Sequence, residues 1–235
     1  MIRKLINILI QIIDFHNKSK VLNFFKKNLI KKHLNIIDIG AHEGETIDFF
    51  LKNFKINKIF SFEPNLTLFE DLKKKYIDEK INIFNYGVGL NYEEKNLNIT
   101  IDGASSTFNE INTDTNYFKR KEKILLLGKN EPFFLDPQKV KIVNLSKFLL
   151  NKEKSIDILK IDTEGYEFNI LNGIESEDFK KINYIYFEHH YDLMIKKKYK
   201  FSDIDKLLKK NNFVQKFKIK MKFRKSFEYI YGSKK

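Results

Sequence analysis

Residues 35–64 read NIIDIGAHEGETIDFFLKNFKINKIFSFEP. Asn35–Ile39 is a short apolar run that ends at a glycine turn, the pattern of a strand buried in a parallel sheet. Glu45–Asn53 reads as a helix and Lys58–Phe62 as a second strand. Pro64 then stands at the first turn of a helix, where its missing N–H costs nothing. That helix closes in Lys73–Lys75, charges favourable at a helix C-terminus. Ile81–Tyr86 is a third strand. Strand, helix, strand, helix, strand at this spacing predicts an α/β fold with a doubly wound sheet.

The rhythm resumes downstream. Ile156–Ile161 reads as a strand, Tyr166–Leu171 as the start of a helix, and Tyr184–Glu188 as another strand. Phe201–Asn211 reads as a helix, with Ser202 as N-cap and Asp205 in its first turn. Phe213–Lys220 and Phe227–Tyr231 read as a closing antiparallel pair. Between the halves, Leu97–Ile101 alternates like an outer strand. Residues 109–140 show no clear period, hold Pro132 and Pro137, and read as an inserted cap. Val143–Leu150 reads as a short helix. The expected organisation is a helical extension over 1–32 and one domain over 33–235. In the extension, Leu5, Ile6, Leu9, Ile12 and Ile13 repeat at helical spacing. They fit a helix packed on the domain, or a basic amphipathic helix lying on a membrane or partner. No apolar run reaches about eighteen residues, so no membrane span is expected. The extension also lacks the small-residue cleavage site of a signal peptide.

At 42% hydrophobic residues the chain can build a sizeable core, which excludes general disorder. It has no cysteine, which excludes a disulfide scaffold, thiolate metal sites and a cysteine nucleophile, and fits a cytoplasmic setting. Lys and Arg number 44 against 31 Asp and Glu, a net charge of +13 that invites a nucleic-acid reading. The basic residues, nearly all Lys, cluster in the N-terminal helix, at Lys73–Lys75, at Lys196–Lys198 and in the closing pair. The strand ends are acidic instead, through Asp38, Glu43, Glu63, Asp162, Glu164 and Glu188. The charge therefore belongs to the periphery. It fits an anionic surface or an anionic glycan better than nucleic acid.

Gly40 and Gly44 let the backbone turn tightly against a ligand. Glu63 lies about twenty residues further on, where nucleotide-binding α/β folds place a ribose-binding acid. A dinucleotide site needs G-x-G-x-x-G, but His42 stands at the second glycine, and Glu43 and Glu45 would repel a pyrophosphate. A ligand with a positive centre and no phosphate, such as S-adenosyl-L-methionine, suits the turn. In the later strand, Asp162 and Glu164 project at the carboxyl edge beside this first site. Lys160 is rarely buried unpaired and fits a partner among these acids.

Three segments carry a family resemblance: IIDIGAHEGE at 36–45, FSFEP at 60–64 and ILKIDTEGYEFNILNG at 158–173. Over residues 33–190 the chain resembles the FkbM-type S-adenosylmethionine-dependent methyltransferases. The resemblance implies a class I methyltransferase, Rossmann-like sheet of seven strands with a final antiparallel hairpin. It implies methyl transfer, usually to oxygen, often on sugars of polysaccharides or on natural products, so the expected partner is a small-molecule or glycan acceptor. It implies that Asp38, Gly40, His42 and Gly44 line the methionine side of the cofactor and that Glu63 holds the ribose. It places Tyr86, Gly87 and Val88 at an adenine-side turn, Ser105, Ser106 and Thr107 at the ligand pocket, and Asp162 and Glu164 on the acidic turn. The cap has no counterpart in the resemblance.

The strand ending Glu188-His189-His190 adds the last candidates. Alternation puts Glu188 and His190 on one side and His189 on the other. Transfer to a hydroxyl needs the oxygen aligned and its proton removed. His189 or His190 fits the base, Asp162 or Glu164 would orient the acceptor, and Glu188 would touch it. A divalent-ion reading uses Asp162, Glu164, Glu188 and His189. A nucleic-acid methyltransferase is the other enzyme class weighed. Its amine-methylating members often carry an Asn/Asp-Pro-Pro-aromatic turn where this chain has Asp162-Thr163-Glu164-Gly165.

Overall fold

The computed structural model describes residues 16–29, 33–101, 103, 105–126, 131–222 and 224–234. Helix α1 covers residues 16–28. Then come β1 (Leu34–Ile39), α2 (Glu45–Asn53), β2 (Ile56–Phe62), α3 (Leu66–Lys75) and β3 (Ile81–Phe84). A middle section holds β4 (Gly87–Gly89), β5 (Glu93–Leu97), α4 (Asn116–Leu126), β6 (Gln138–Asn144) and a π-helical turn, Ser146–Leu150. The second half is β7 (Ile156–Ile161), α5 (Glu167–Asn172), α6 (Ser176–Phe179), β8 (Ile182–His190), α7 (Phe201–Lys210), β9 (Phe213–Lys220) and β10 (Ser226–Ser233).

Seven strands pair in the order β3-β2-β1-β7-β8-β10-β9. The first five are parallel, and β10 runs antiparallel to both β8 and β9. Between β1 and β7 the winding reverses, and ligands of such sheets bind outside the carboxyl ends of the strands at this point. Burial on both faces explains why β1 and β7 are rich in Ile and Leu. Ile37, Ile39, Leu159 and Ile161 pack in one layer; Ile36 and Ile158 pack in the other with α1 and α2. Toward the carboxyl edge the second face turns polar. Asp38 pairs in register with Lys160, Lys160 with Tyr186, and Glu188 with Glu228.

Helix α1 is packed on the domain. Phe25 is fully buried with ring contacts to Phe50, Tyr184 and Tyr186, a contribution of about 1.5–3 kcal/mol for such a side chain. The Leu5–Ile13 stretch and residues 30–32 lie outside the described residues. Among the described residues no helix is long and apolar enough to cross a membrane.

Several local expectations are corrected. The outer strand lies earlier, at β5: Glu93–Leu97 pairs with β6, and beyond Leu97 the chain turns to isolated bridges, Asn98 with Thr107 and Thr100 with Phe134. Strand β6 runs to Asn144, so the expected helix over 143–150 begins only at Ser146. The cap contains α4, whose Phe118 is buried against Phe133, Met194 and Ile195. With one buried residue in that helix, its apolar period is too faint to read. The N-cap of α7 is Lys200, not Ser202: Asp203 reaches back and accepts the Lys200 N–H at 2.8 Å.

Candidate active site

The turn after β1 is left-handed at three residues: Gly40 (φ 86°), His42 (φ 50°) and Gly44 (φ 88°). At Gly40 a Cβ would lie 1.9 Å from the Asp162 carbonyl oxygen, so only glycine lets the two turns touch. His42 is held in its strained conformation by Glu63, whose Oε2 accepts the His42 N–H at 2.8 Å. The other oxygen of Glu63 accepts the Asn65 N–H at 2.9 Å. Burial pushes Glu63 up to about 7 although these two amides oppose it. Asp38 is wholly buried, and neither of its oxygens has a hydrogen-bond partner. Burial pushes its carboxyl up to about 8 against the pull of Lys160. Burial disfavours a charged His42 ring, but Glu45, 3.1 Å from Nδ1, outweighs it and raises the ring to about 9.

The turn after β7 is braced by backbone and side chains. Glu164 (φ 48°) and Gly165 (φ 92°) are both left-handed. The Gly165 N–H donates to Glu167 Oε1 at 2.7 Å, and Asn109 Nδ2 donates to the Gly165 carbonyl at 2.7 Å. Thr107 Oγ1 donates to the Glu164 carbonyl at 2.8 Å. Burial opposes the charge on Asp162, but Lys160 Nζ lies 3.2 Å from its Oδ2 and holds it below the usual carboxylate range. The Lys160 ammonium also sits 4.3 Å over the Tyr186 ring, and Tyr186 donates to Glu228 at 2.7 Å. Burial pushes Glu164 up, while His190 and Lys121 pull it down.

The two histidines of β8 part company. His190 Nε2 lies 3.4 Å from Glu164 and 3.5 Å from Glu188, and Nδ1 lies 3.5 Å from Asp192. Burial works against its charge, but these three acids raise it to about 10. His190 is thus an imidazolium at neutral pH, unsuited to the base role expected of it. His189 points to the other face. It sits 3.6 Å from Glu167 among the rings of Tyr191, Tyr199 and Phe201. The structure does not bring it to the carboxyl-edge site, so the divalent-ion set weighed as an alternative is not assembled there either.

Two cavities meet at the paired turns. The first, open to solvent, is lined by Gly40, His42, Glu63, Tyr86, Gly87, Val88, Ser106, Thr107, Asp162 and Glu164. The second, the larger of the two, lies between α1, α2 and the polar edge, against Lys160, Tyr186, Glu188 and Glu228. Gly40, His42, Asp162 and Glu164 border both. Asp38, Gly44, Ser105 and His190 line neither. Ser105 accepts from Lys121 of α4. Asn17, Lys18 and Val21 of α1 also line the second cavity, with Arg224 of the hairpin loop. Sequence reading missed these residues, along with Tyr186, Glu228 and Asp192. An acid inside the apolar run FEYIY was the available signal for Glu228. At the first turn, His42, Glu43 and Glu45 bring ligand atoms within 4.8 Å of one another, two of them on exposed residues.

Residues 38–214 match the family model described as the methyltransferase FkbM domain. An FkbM methyltransferase from Methylobacillus flagellatus KT superposes with a TM-score of 0.54 at 13% identity, over 88% of this chain and 46% of that one. The chain thus spans less than half of that protein's length. The ribosomal protein L11 methylase of Lactobacillus delbrueckii subsp. bulgaricus gives 0.50 at 8% identity, over 94% and 80%. Magnesium protoporphyrin IX methyltransferase from Synechocystis PCC 6803, with bound S-adenosyl-homocysteine, also gives 0.50 at 8%, over 96% and 85%. These likenesses concern the fold. No curated protein sequence matches the chain. The family match covers most of the chain and includes both turns, so the chain belongs to the FkbM methyltransferase family.

Proposed function

We propose that this chain transfers the methyl group of S-adenosyl-L-methionine to a hydroxyl oxygen of a small-molecule acceptor, a saccharide foremost. The observation that carries this reading is the lining of the first cavity. Among the described residues it holds Glu63, Asp162 and Glu164 against one basic group, His42, which Glu45 pairs, and no lysine or arginine. Such a lining suits a cationic nucleoside without phosphate and opposes a pyrophosphate. Tyr86, Val88, Leu97 and Phe108 supply an apolar wall for a base. Each Glu63 oxygen accepts one amide and keeps a lone pair for a ribose hydroxyl. The orphaned Asp38 carboxyl beneath the turn, raised to about 8 by burial, can ionise when a positive charge sits above it.

When bound, the cofactor supplies a methyl group activated by a positive sulfur. The chain supplies alignment and a place for the proton. Asp162, kept anionic by Lys160, borders both cavities and orients what meets there. Glu164 borders both as well and takes the base role. Burial raises its proton affinity, and His190, 3.4 Å away, opposes that rise. As the acceptor oxygen bonds to carbon and the carbon–sulfur bond breaks, the hydroxyl proton passes to Glu164. Glu188, Glu228 and Tyr186 offer hydrogen bonds to further hydroxyls, and α1 walls the cavity on one side. Lys18 and Arg224 at its margin suit an acceptor that also carries negative charge.

Calorimetry with S-adenosylhomocysteine tests the reading. The intact protein should bind, and Glu63→Ala should weaken binding by about tenfold or more. Absence of binding to the intact protein would refute it.

A further inference from the structure

We propose that Asp192, in the loop after β8, is a positioning residue of the transfer site: it fixes the His190 ring so that Glu164 stays ready to accept a proton. This rests on the reading of Glu164 as the base. Three buried or half-buried groups form a line from the cavity wall inward. Glu164 Oε2 lies 3.4 Å from His190 Nε2, and His190 Nδ1 lies 3.5 Å from Asp192 Oδ2. His190 and Asp192 are 5% and 4% exposed. The other Asp192 oxygen accepts the Met194 N–H at 2.9 Å, which anchors the carboxylate.

His190 Nε2 and Asp192 Oδ2 have no hydrogen-bond partner, although both are buried. A purely structural pair would be expected to close these bonds, because unmade buried bonds are costly. Catalytic contacts, by contrast, are often long before substrate binds and tighten in the complex. Every element around the ring contributes charge or polarity. Glu188 comes from its own strand and Ser226 from β10. Glu164, Asp162 and Glu167 come from the β7–α5 junction. Lys197 donates to the His190 carbonyl, and Arg224 lies 3.7 Å from Glu188. Tyr117 of α4 is raised to about 12 by burial, then by Asp192 and Glu164, so the cap helix covers the same cluster.

The physical logic is a balance of charge. A buried glutamate without a nearby cation keeps its proton and cannot act as a base. His190 is that cation, and it faces Glu164 through one nitrogen only if the other is held. Asp192 holds it. Without that charge His190 loses its proton at lower pH, and the pull that opposes protonation of Glu164 is lost with it.

Asp192→Asn is the variant of choice, because its amide oxygen still accepts the Met194 N–H. At pH 7, kcat should fall about tenfold, and the acid limb of the kcat–pH profile should move up by about one unit. S-adenosylhomocysteine affinity should be unchanged. A second measurement needs no acceptor. The His190 imidazole resonances, assigned with His190→Gln, should stay those of the protonated ring through about pH 8 in the parent and titrate lower in Asp192→Asn. An unshifted pH profile, a uniform loss at every pH, or a parent His190 titrating near the ordinary value of about 6.5 would each overturn the proposal. The imidazole titration stands even if no hydroxyl acceptor is ever methylated, so failure of the functional reading is distinguishable from failure of this one.

Discussion

The turn after β1 and the turn after β7 touch, with Gly40 lying against the Asp162 carbonyl, yet they treat charge differently. At the first turn, Glu63 is held by backbone amides alone and Asp38 by no hydrogen bond. Burial lifts both into the neutral range. At the second turn, Asp162 and Glu164 have Lys160 and His190 within 3.4 Å. The first turn can take up a cationic ligand and ionise fully in response. At the second, Lys160 holds Asp162 ionised before anything binds, and His190 opposes the rise that burial imposes on Glu164. The difference separates cofactor holding from proton handling along one strand edge.

Substituting one acid from each turn breaks this comparison most directly. Glu164→Gln should lower kcat by about 10²- to 10⁴-fold, the usual worth of a general base, and leave S-adenosylhomocysteine affinity within about twofold. Glu63→Gln should do the reverse, with affinity lost by about tenfold and a smaller change in kcat. Calorimetry and steady-state kinetics on both variants decide it. If the two variants show the same split between affinity and kcat, the turns share one role.

Asp38→Asn probes the first turn through pH. The folded-state pKa of Asp38 is raised from 3.8 to about 8, so the native protein binds this proton more tightly than the unfolded chain does. That contribution is full below about pH 4 and is lost as pH rises through about 8. The variant escapes the loss. Its melting temperature should match the parent's near pH 4 and exceed it by about 10 °C or more at pH 9. Added S-adenosylmethionine should narrow the gap, since a cationic ligand favours the charged carboxylate. A gap that is constant with pH would show that Asp38 is already ionised.

The sheet and the first turn were legible because their determinants are local. The Ile run of β1 needs burial on both faces, Gly40 needs positive φ, and Glu63 follows at fixed spacing. The second cavity was less legible because its residues come from distant elements. Lys18, Tyr186, Arg224 and Glu228 meet only once α1 and the hairpin are in place. The charge state of His190 depends on acids before, beside and after it, so its base role could be assigned only provisionally from residue type. Helix α4 escaped notice because it buries little of its own, and Ser202 misled because the Asp203 side chain caps from one position further in.

The smallest expected effect concerns His189, which backs the second turn from the far face of the sheet. Its Nδ1 lies 3.6 Å from Glu167, and Glu167 accepts the Gly165 N–H that helps shape the turn. Glu167 also accepts from Tyr199 at 2.5 Å, so the turn keeps a brace when His189 is gone. His189→Gln should therefore cost stability, about 1–2 kcal/mol for a repacked buried polar site, and change kcat by less than about threefold. Thermal denaturation and kinetics on one preparation check both halves. His190, one residue on but on the reacting side, should give the opposite pattern. If His189→Gln lowered kcat as far as Glu164→Gln, proton handling would extend through the sheet, and the second turn would have to be understood from both its faces.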